Sequence, residues 1–369
     1  MTAPVSVLVY GATGFSGRAI AGRLCAAGHN VVVAGRDEAK VRSLARALDA
    51  PFKVFGLSDP AQTALGVAGA GVVLNAAGPF LDTAVPMIEA CVHGGAHYLD
   101  LAGEWPVFAF AQRLAPAAAE AGVMLMPGVG CSIVISDCLA AHAATRVPQA
   151  TLLRIAVSFP SVVSRGTFRS ALDLTAKSVI VRRSGIVRTI PLGSLQRTFN
   201  FGEGERMSLA FSWPDVITGQ HTTGVGNVEA YVEAPAAFRL AWRSGAQAAD
   251  LLGEAAFKAV TNPMSALWPE RPSPVAQQRE RLSVVVETVD PWRRATRFGL
   301  RTLDGYSVTT LTAHAVVERV LAGQHPPGFQ TPAGVFGAGL IADLGCAWSY
   351  DASPLATLPH TDGGARIAS

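Results

Sequence analysis

Three glycines, Gly11, Gly14 and Gly17, fall in the pattern GxxGxxG within GATGFSG, directly after the apolar run Val5–Tyr10. The first permits a tight turn, the second lets a pyrophosphate approach the backbone, and the third lets a helix pack closely on the strand. Thr13, Phe15 and Ser16 complete the loop. The helix that follows offers its unpaired amides and positive dipole end to an anion. A turn in an unliganded α/β domain could use the same glycines, but the place of the motif, opening a βαβ unit, favours a dinucleotide. The next apolar run ends in VVVAGRD, so Gly35 and Arg36 stand where NAD-selective folds put an acid against the ribose 2′-hydroxyl. Glycine leaves room for a 2′-phosphate and a planar guanidinium can hold it bidentately, which favours NADP(H). The plainer reading of Arg36 is a solvated first-turn residue.

Two later strand ends carry candidate chemistry. Asn75, Ala76, Ala77, Gly78 and Pro79, in NAAGPF, follow a strand whose terminus would face the nicotinamide, and could carry its carboxamide and ribose. HYLDLAGEW then presents Tyr98, Asp100 and Glu104 toward the same edge as candidates for acid–base work. The alternative is structural: Glu104 would cap the next helix and Asp100 would bind loop amides.

The elements that must position these residues alternate. Val5–Tyr10, Val31–Ala34, Phe52–Phe55, Gly71–Asn75, His97–Leu101 and Val123–Met126 read as short buried strands, with helices between them such as Phe15–Ala27 and Asp37–Leu48. That pattern predicts an α/β fold, a Rossmann-type doubly wound parallel sheet over residues 1–150. From Ala150 the runs lengthen and are joined by hairpin signals: SG at 184–185, GEGE at 202–205 and DG at 304–305. Residues 151–309 are therefore expected to form an α+β domain with a mainly antiparallel sheet. Within it, a helix from Pro235 to Val260 and a proline-rich loop over Asn262–Gln278 are expected. Helical candidates at Thr310–Ala322 and Pro332–Gly345 could return to the first domain, ahead of a flexible tail over 350–369.

Composition sets limits. Of 369 residues, 50% are apolar and 15% charged, which excludes a disordered or fibrous chain. No apolar run reaches the length of a membrane span. A net charge of +3 gives no reason to expect nucleic acid. Five cysteines without a CxxC pair argue against a disulfide framework and a zinc site, so no metal is expected. The start MTAPVSVLVYGATG lacks a cationic leader, and a cytoplasmic location is expected. None of the five tyrosines has a lysine four residues on, which excludes the Tyr-x-x-x-Lys chemistry of short-chain reductases.

Read in order, GATGFSG, AGRD, NAAGPF, YLDLAGEW and MPGVGCSIVISD resemble the saccharopine dehydrogenase-like oxidoreductases, nearest to the trans-acting enoyl reductase branch. The resemblance continues through TTGVGNVEAY (222–231) and GFQTPAGVFG (328–337). It implies an NADP(H)-binding Rossmann domain with a second domain closing over the nicotinamide. Cys131, Ser132, His221, Gly224 and Asn227, within these motifs, are candidate substrate-lining positions, a structural role being the alternative for the lone Cys131 and His221. Where the family commonly has Phe-Asp after GVG this chain has Cys131-Ser132, and Ile135 replaces a proline, which points to a different substrate. The resemblance implies NADPH-dependent reduction of an activated C=C bond of a small-molecule or carrier-bound acyl substrate, polyketide-like in character, and a homodimer would be compatible. The alternatives are saccharopine-like C–N chemistry and an NADP-binding sensor without turnover.

The second half also contains a basic stretch. Between Thr151 and Thr198 lie seven arginines and Lys177 against one acid, Asp173. An acidic carrier surface or an anionic substrate would fit it, as would a solvated face or acids brought in from elsewhere in the fold.

Overall fold

The alternating apolar runs build a parallel sheet, as their pattern requires. A computed structural model describes residues 5–158, 178–234, 282–302, 305–344 and 354–355. Its first part alternates β1 (Val7–Tyr10), α1 (Phe15–Ala26), β2 (Val31–Gly35), α2 (Glu38–Leu48), β3 (Phe52–Val54), α3 (Pro60–Val67), β4 (Val72–Asn75), α4 (Phe80–Gly94), β5 (His97–Asp100), α5 (Trp105–Arg113), α6 (Ala115–Glu120) and β6 (Met124–Met126). With β15 (Gly328–Phe329) these strands form a seven-stranded sheet in the order β15-β6-β5-β4-β1-β2-β3, parallel throughout. The chain runs outward from β1 in one direction and from β4 in the other, so the loops after β1 and β4 diverge and leave a crevice at their C-terminal ends.

Strand alternation decides which helices cover which face. Val7, Val9, Val31, Val33, Val72 and Leu74 pack with Ile20, Leu24, Val41 and Leu44 of α1 and α2. Leu8, Tyr10, Val73, Tyr98 and Leu125 face the other way, onto Met87, Ile88, Phe108 and Ala118 of α4, α5 and α6. Each fully buried Val or Leu contributes about 1.5–3 kcal/mol over exposure, and a sheet covered on both faces collects that along whole strands.

Helix α7 (Cys131–Arg146) joins this sheet to a second one. Val134, Ile135, Cys138, Leu139 and Ala143 share a core with both sheets. The second sheet comprises β7 (Leu152–Ser158), β8 (Ser178–Arg183), β9 (Ile186–Pro191), β10 (Gln196–Asn200), β11 (Glu205–Ala210), β12 (Val228–Glu233), β13 (Ser283–Val289), β14 (Ala295–Arg301) and β16 (Pro354–Leu355). All its pairings are antiparallel except β12 with β7. The SG hairpin forms as read: Ser184 and Gly185 both have positive φ, 50° and 80°, as a two-residue primed turn needs. The GEGE segment joins β10 to β11.

The expected DG hairpin does not form. Strand β14 ends at Arg301, and Gly305 opens helix α9 (Gly305–Leu321), five residues ahead of the expected start. Val308, Thr312, Val316 and Val320 recur every fourth residue on its buried side. Packing of that stripe against α1 and α7 outweighs the local turn and β-branched signals of TLDGYSVT. The chain then adds β15 to the edge of the first sheet, followed by α10 (Pro332–Phe336) and a 3-10 helix (Ala338–Leu344). The expected helix over Pro235–Val260, the loop over Asn262–Gln278, Arg165, Arg169 and Lys177 lie outside the described residues. So does most of the expected tail, of which Pro354–Leu355 pairs with β14.

Among the described residues, part of the basic stretch meets acids or carbonyls across the second sheet. Arg154 is buried between Glu229 (3.0 Å) and Glu287 (2.6 Å), Arg183 reaches Glu229 at 2.6 Å, and Arg297 reaches Glu287 at 2.9 Å. Burial alone would raise the Glu287 pKa; Arg154 and Arg297 outweigh it and hold the group below the usual carboxylate range. Arg182 donates to the carbonyls of Val216 and Gly185, at 2.8 and 2.6 Å.

Candidate active site

The glycine loop has the shape of an anion cradle. Gly11 has φ +77°, and a Cβ there would stand 2.7 Å from the Ala77 nitrogen, so the loops after β1 and β4 touch through it. A Cβ at Gly17 would lie 2.3 Å from the Gly11 carbonyl oxygen, the close helix–strand approach that motif spacing predicts. Gly14 differs. A Cβ there would meet only the Gly11 oxygen, at 3.3 Å, and otherwise enter open space. Gly14 is also the N-cap of α1, no side chain caps that end, and its first turn has no acid. The first-turn amides are therefore available to an external anion, and the space a Cβ would fill at Gly14 is where a pyrophosphate would lie.

Arg36 is exposed at the end of β2 and makes no ion pair or side-chain hydrogen bond among the described residues. The neighbouring Asp37 is occupied as the N-cap of α2, accepting from the Lys40 amide at 3.1 Å. The acid beside Arg36 thus serves a helix.

The loops after β4, β5 and β6 are tied beneath the crevice by one buried relay. Asn75 Nδ2 donates to the Tyr98 hydroxyl (3.4 Å), and that hydroxyl donates to Asp100 Oδ2 (2.7 Å). Asp100 Oδ1 accepts the amides of Ala102 (2.9 Å) and Gly128 (2.7 Å). The other Asn75 groups hold its own loop: Oδ1 accepts from Ala77 N (3.1 Å), and Nδ2 also reaches Thr83 Oγ1 (3.2 Å). Thr83 in turn donates to the Ala77 carbonyl at 2.6 Å. The Gly78–Pro79 peptide is cis. Burial pushes the Asp100 carboxyl up to about 7, against the pull of its three donors. Burial likewise raises the Tyr98 phenol well above its ordinary value, and Asp100 adds to the rise.

Tyr98, Asp100 and Glu104 therefore do share one strand end, and all three are buried. Asp100 binds loop amides, one of the two readings open from the sequence. Glu104 takes the N-cap position of α5, but its carboxylate accepts from Gly103 N (2.9 Å) and makes no side-chain cap. Asn75 directs its amide to loop groups, leaving the backbone of Ala76–Gly78 as the surface toward the crevice.

Cys131 stands at the start of α7 on the same edge, its amide donating to Thr309 Oγ1 at 3.2 Å. A Cβ on Gly305 would touch the Cys131 sulfur at 3.4 Å. Tyr306, one residue on, meets Phe15 of the glycine loop edge to face, with ring centroids 5.2 Å apart. The N-terminus of α9 thus borders the crevice, and sequence reasoning missed both Tyr306 and Thr309. The remaining substrate-lining expectations are placed differently. His221 packs edge to face on Phe329 of β15, the edge strand of the first sheet (5.0 Å). Gly224 is the left-handed C-cap of α8 (Asp215–Thr223). Asn227 pins the β8–β9 turn, accepting from Ser184 N (2.9 Å) and donating to the Thr151 carbonyl (2.7 Å). The Ser132 side chain lies outside what is described.

A second buried node joins the three C-terminal stretches of the resemblance. Asp137 accepts from Thr222 Oγ1 (2.5 Å) and from the Ala333 amide (2.7 Å), and Thr222 and Thr331 share a hydrogen bond of 2.6 Å. GCSIVISD, TTGVGNVEAY and GFQTPAGVFG therefore meet at one carboxyl, which burial raises to about 7.

Residues 7–126, which hold β1 through β6 of the first sheet and the helices between them, match the family model described as saccharopine dehydrogenase NADP binding domain. A trans-acting enoyl reductase of Mycobacterium tuberculosis is 34% identical over 105 residues, 27% of this chain and 25% of that protein. A second protein of that organism, named provisionally for the same activity, is 31% identical over 183 residues, 46% of this chain and 43% of its own length. The chain thus spans less than half of the curated relatives it matches. Among solved structures, apo saccharopine dehydrogenase (L-Glu forming) from Saccharomyces cerevisiae superposes with a TM-score of 0.62, covering 95% of this chain and 100% of that one. At 14% identity this similarity concerns the fold.

Proposed function

We propose that the protein is an NADPH-dependent reductase of an activated C=C bond in an acyl or polyketide-like substrate. The observation that carries the cofactor half of this reading is the cradle at Gly14 together with the unpartnered Arg36. The relatives named for enoyl reduction support the other half. NADPH, when bound, would supply a hydride to the β-carbon of the acceptor, and a proton from water would complete the α-carbon.

The chain's own residues hold and shield. The α1 amides and Gly14 take the pyrophosphate and Arg36 takes the 2′-phosphate. The Ala76–Gly78 backbone meets the nicotinamide side, and Tyr306 with Phe15 excludes water above the loop. Cys131 borders the acceptor. In this reading Tyr98 and Asp100 are positioning residues that fix three crevice loops at once, and Glu104 sets the start of α5.

An apolar acyl substrate is favoured over an amino-dicarboxylate by the arginines of the second sheet. A multiply charged substrate would need unpaired guanidinium groups converging on the crevice. Arg154, Arg183 and Arg297 are instead engaged by Glu229 and Glu287, and Arg182 by backbone. Incubation with NADPH and an α,β-unsaturated acyl thioester tests the reading. Loss of the conjugated absorbance together with NADPH is expected, and turnover of an imine-forming amino acid pair instead would replace it.

A further inference from the structure

Three side chains that the crevice does not use converge at the other end of α1. His29 sits in the turn from α1 to β2, where Gly28 takes φ +83°. The amides of Gly28 and His29 bond back to the carbonyls of Cys25 and Leu24, at 2.9 and 3.1 Å, so His29 leaves the helix on a fixed path. His314 and Glu318 are one turn apart on α9, and thus on the same face. His29 Nε2 is 3.5 Å from Glu318 Oε1, and His314 Nδ1 is 3.3 Å from Glu318 Oε2. The Nε2 atoms of both histidines are buried and make no hydrogen bond among the described residues, and that of His29 is the one that faces Glu318. Neutral imidazole has one donor and one acceptor nitrogen, and leaving either buried without a partner is unfavourable.

We infer that His29, His314 and Glu318 form a binding site for a divalent transition cation of the zinc class, which fastens α9 to α1. One donor atom from each residue lies within 4.8 Å of the other two. The two nitrogen–oxygen separations match the spacing of about 3.3 Å between ligands of a tetrahedral ion with bonds of about 2.0–2.1 Å. Glu318, 45% exposed, leaves a fourth position to water.

The donor set selects the class of ion. Two imidazoles and one carboxylate suit zinc, cobalt or nickel, whereas calcium and magnesium require oxygen ligands. Arg23 also approaches His314, so the site has little net negative charge to offer a hard cation. The site is structural, because α1 runs 12 residues, about 18 Å, from the glycine loop toward His29. Cysteine spacing gave no hint of it, since the ligands come from distant parts of the chain.

Untagged, chelator-stripped protein titrated with Co(II) tests this. One ion per chain should bind, with the visible bands of a four-coordinate site, displaceable by Zn(II), and the thermal midpoint should rise. His314→Gln and Glu318→Gln should each lose the bands and the metal-dependent rise. Glu318 is exposed enough that its variant should keep the apo midpoint and NADPH affinity of the wild type, so it decides the matter if His314→Gln does not fold. Absence of saturable Co(II) binding, or an unchanged spectrum in Glu318→Gln, would overturn the inference.

Discussion

The Tyr98 hydroxyl donates to Asp100 Oδ2 at 2.7 Å while the other oxygen of that carboxylate holds the amides of Ala102 and Gly128. A single buried acid thereby sets the height of the loops after β5 and β6, and Tyr98 extends its hold to Asn75 after β4. If these loops position the acceptor, Tyr98→Phe and Asp100→Asn should lower kcat about tenfold or more while shifting NADPH affinity by less than about threefold, since the lost geometry matters most in the transition state. Hydrogen bonds to a charged group are worth about 1.5–3 kcal/mol, so a lower thermal midpoint is also expected. Steady-state kinetics beside a cofactor titration separates the effects; equal losses in both would mean that the relay merely holds the fold.

In the proposed function, cofactor choice rests on Arg36. The protein should bind NADPH at least about tenfold more tightly than NADH, and Arg36→Ala should erase most of that margin. One charge-assisted contact of about 1.5–3 kcal/mol corresponds to about tenfold to a hundredfold. Fluorescence titration of both nucleotides reads it directly, and equal wild-type affinities would refute the assignment.

Among the loop glycines, Gly14 gives the clean test. A side chain at Gly11 or Gly17 collides with backbone, so those variants confuse folding with binding. Gly14→Val should leave the circular dichroism spectrum intact and abolish NADPH binding. Wild-type affinity in that variant would show that the loop is not the phosphate cradle.

Three buried acids predict a pH dependence of stability. Burial raises Asp100, Asp137 and Asp215 to about 7 each; at Asp215 the Ser136 hydroxyl opposes the rise and Asp137 adds to it. An acid whose folded pKa is raised stabilises the fold fully below its unfolded pKa, about 3.9, and that contribution is lost as pH rises through about 7. Among the described residues, Asp215 has no donor closer than the weakly aligned Ser136 hydroxyl, so its ionised form is the least supported. Asp215→Asn should therefore raise the thermal midpoint at about pH 8, change it little at about pH 4, and flatten the slope between. A variant that keeps the full slope would place the titration elsewhere.

The parts of this molecule that were legible in the sequence are those encoded by neighbours. GxxGxxG, AGRD and the strand ends need only local spacing and a strand on one side, and the SG turn needs only two residues that tolerate positive φ. The partners of Asp100 were open between two chemistries because its burial depends on Gly128, brought in by another strand. Tyr306 was invisible for a related reason: TLDGYSVT has the local signature of a hairpin, and it is the packing of Val308 and Val316 on distant helices that makes the chain helical from Gly305 onward. The node at Asp137 could have been suspected, since each of its contributors lies in a separately noticed motif, but nothing in their spacing says that they meet.

The central claim is hydride delivery to carbon within a crevice that holds the cofactor on one side. Protein incubated with stereospecifically deuterated NADPH and an α,β-unsaturated acyl thioester should transfer label from one face only, and the product should carry it at the β-carbon in a single configuration, read by NMR and mass spectrometry. Label at a carbon bonded to nitrogen, with an amino-acid substrate, or no transfer to either class despite tight NADPH binding, would contradict the account.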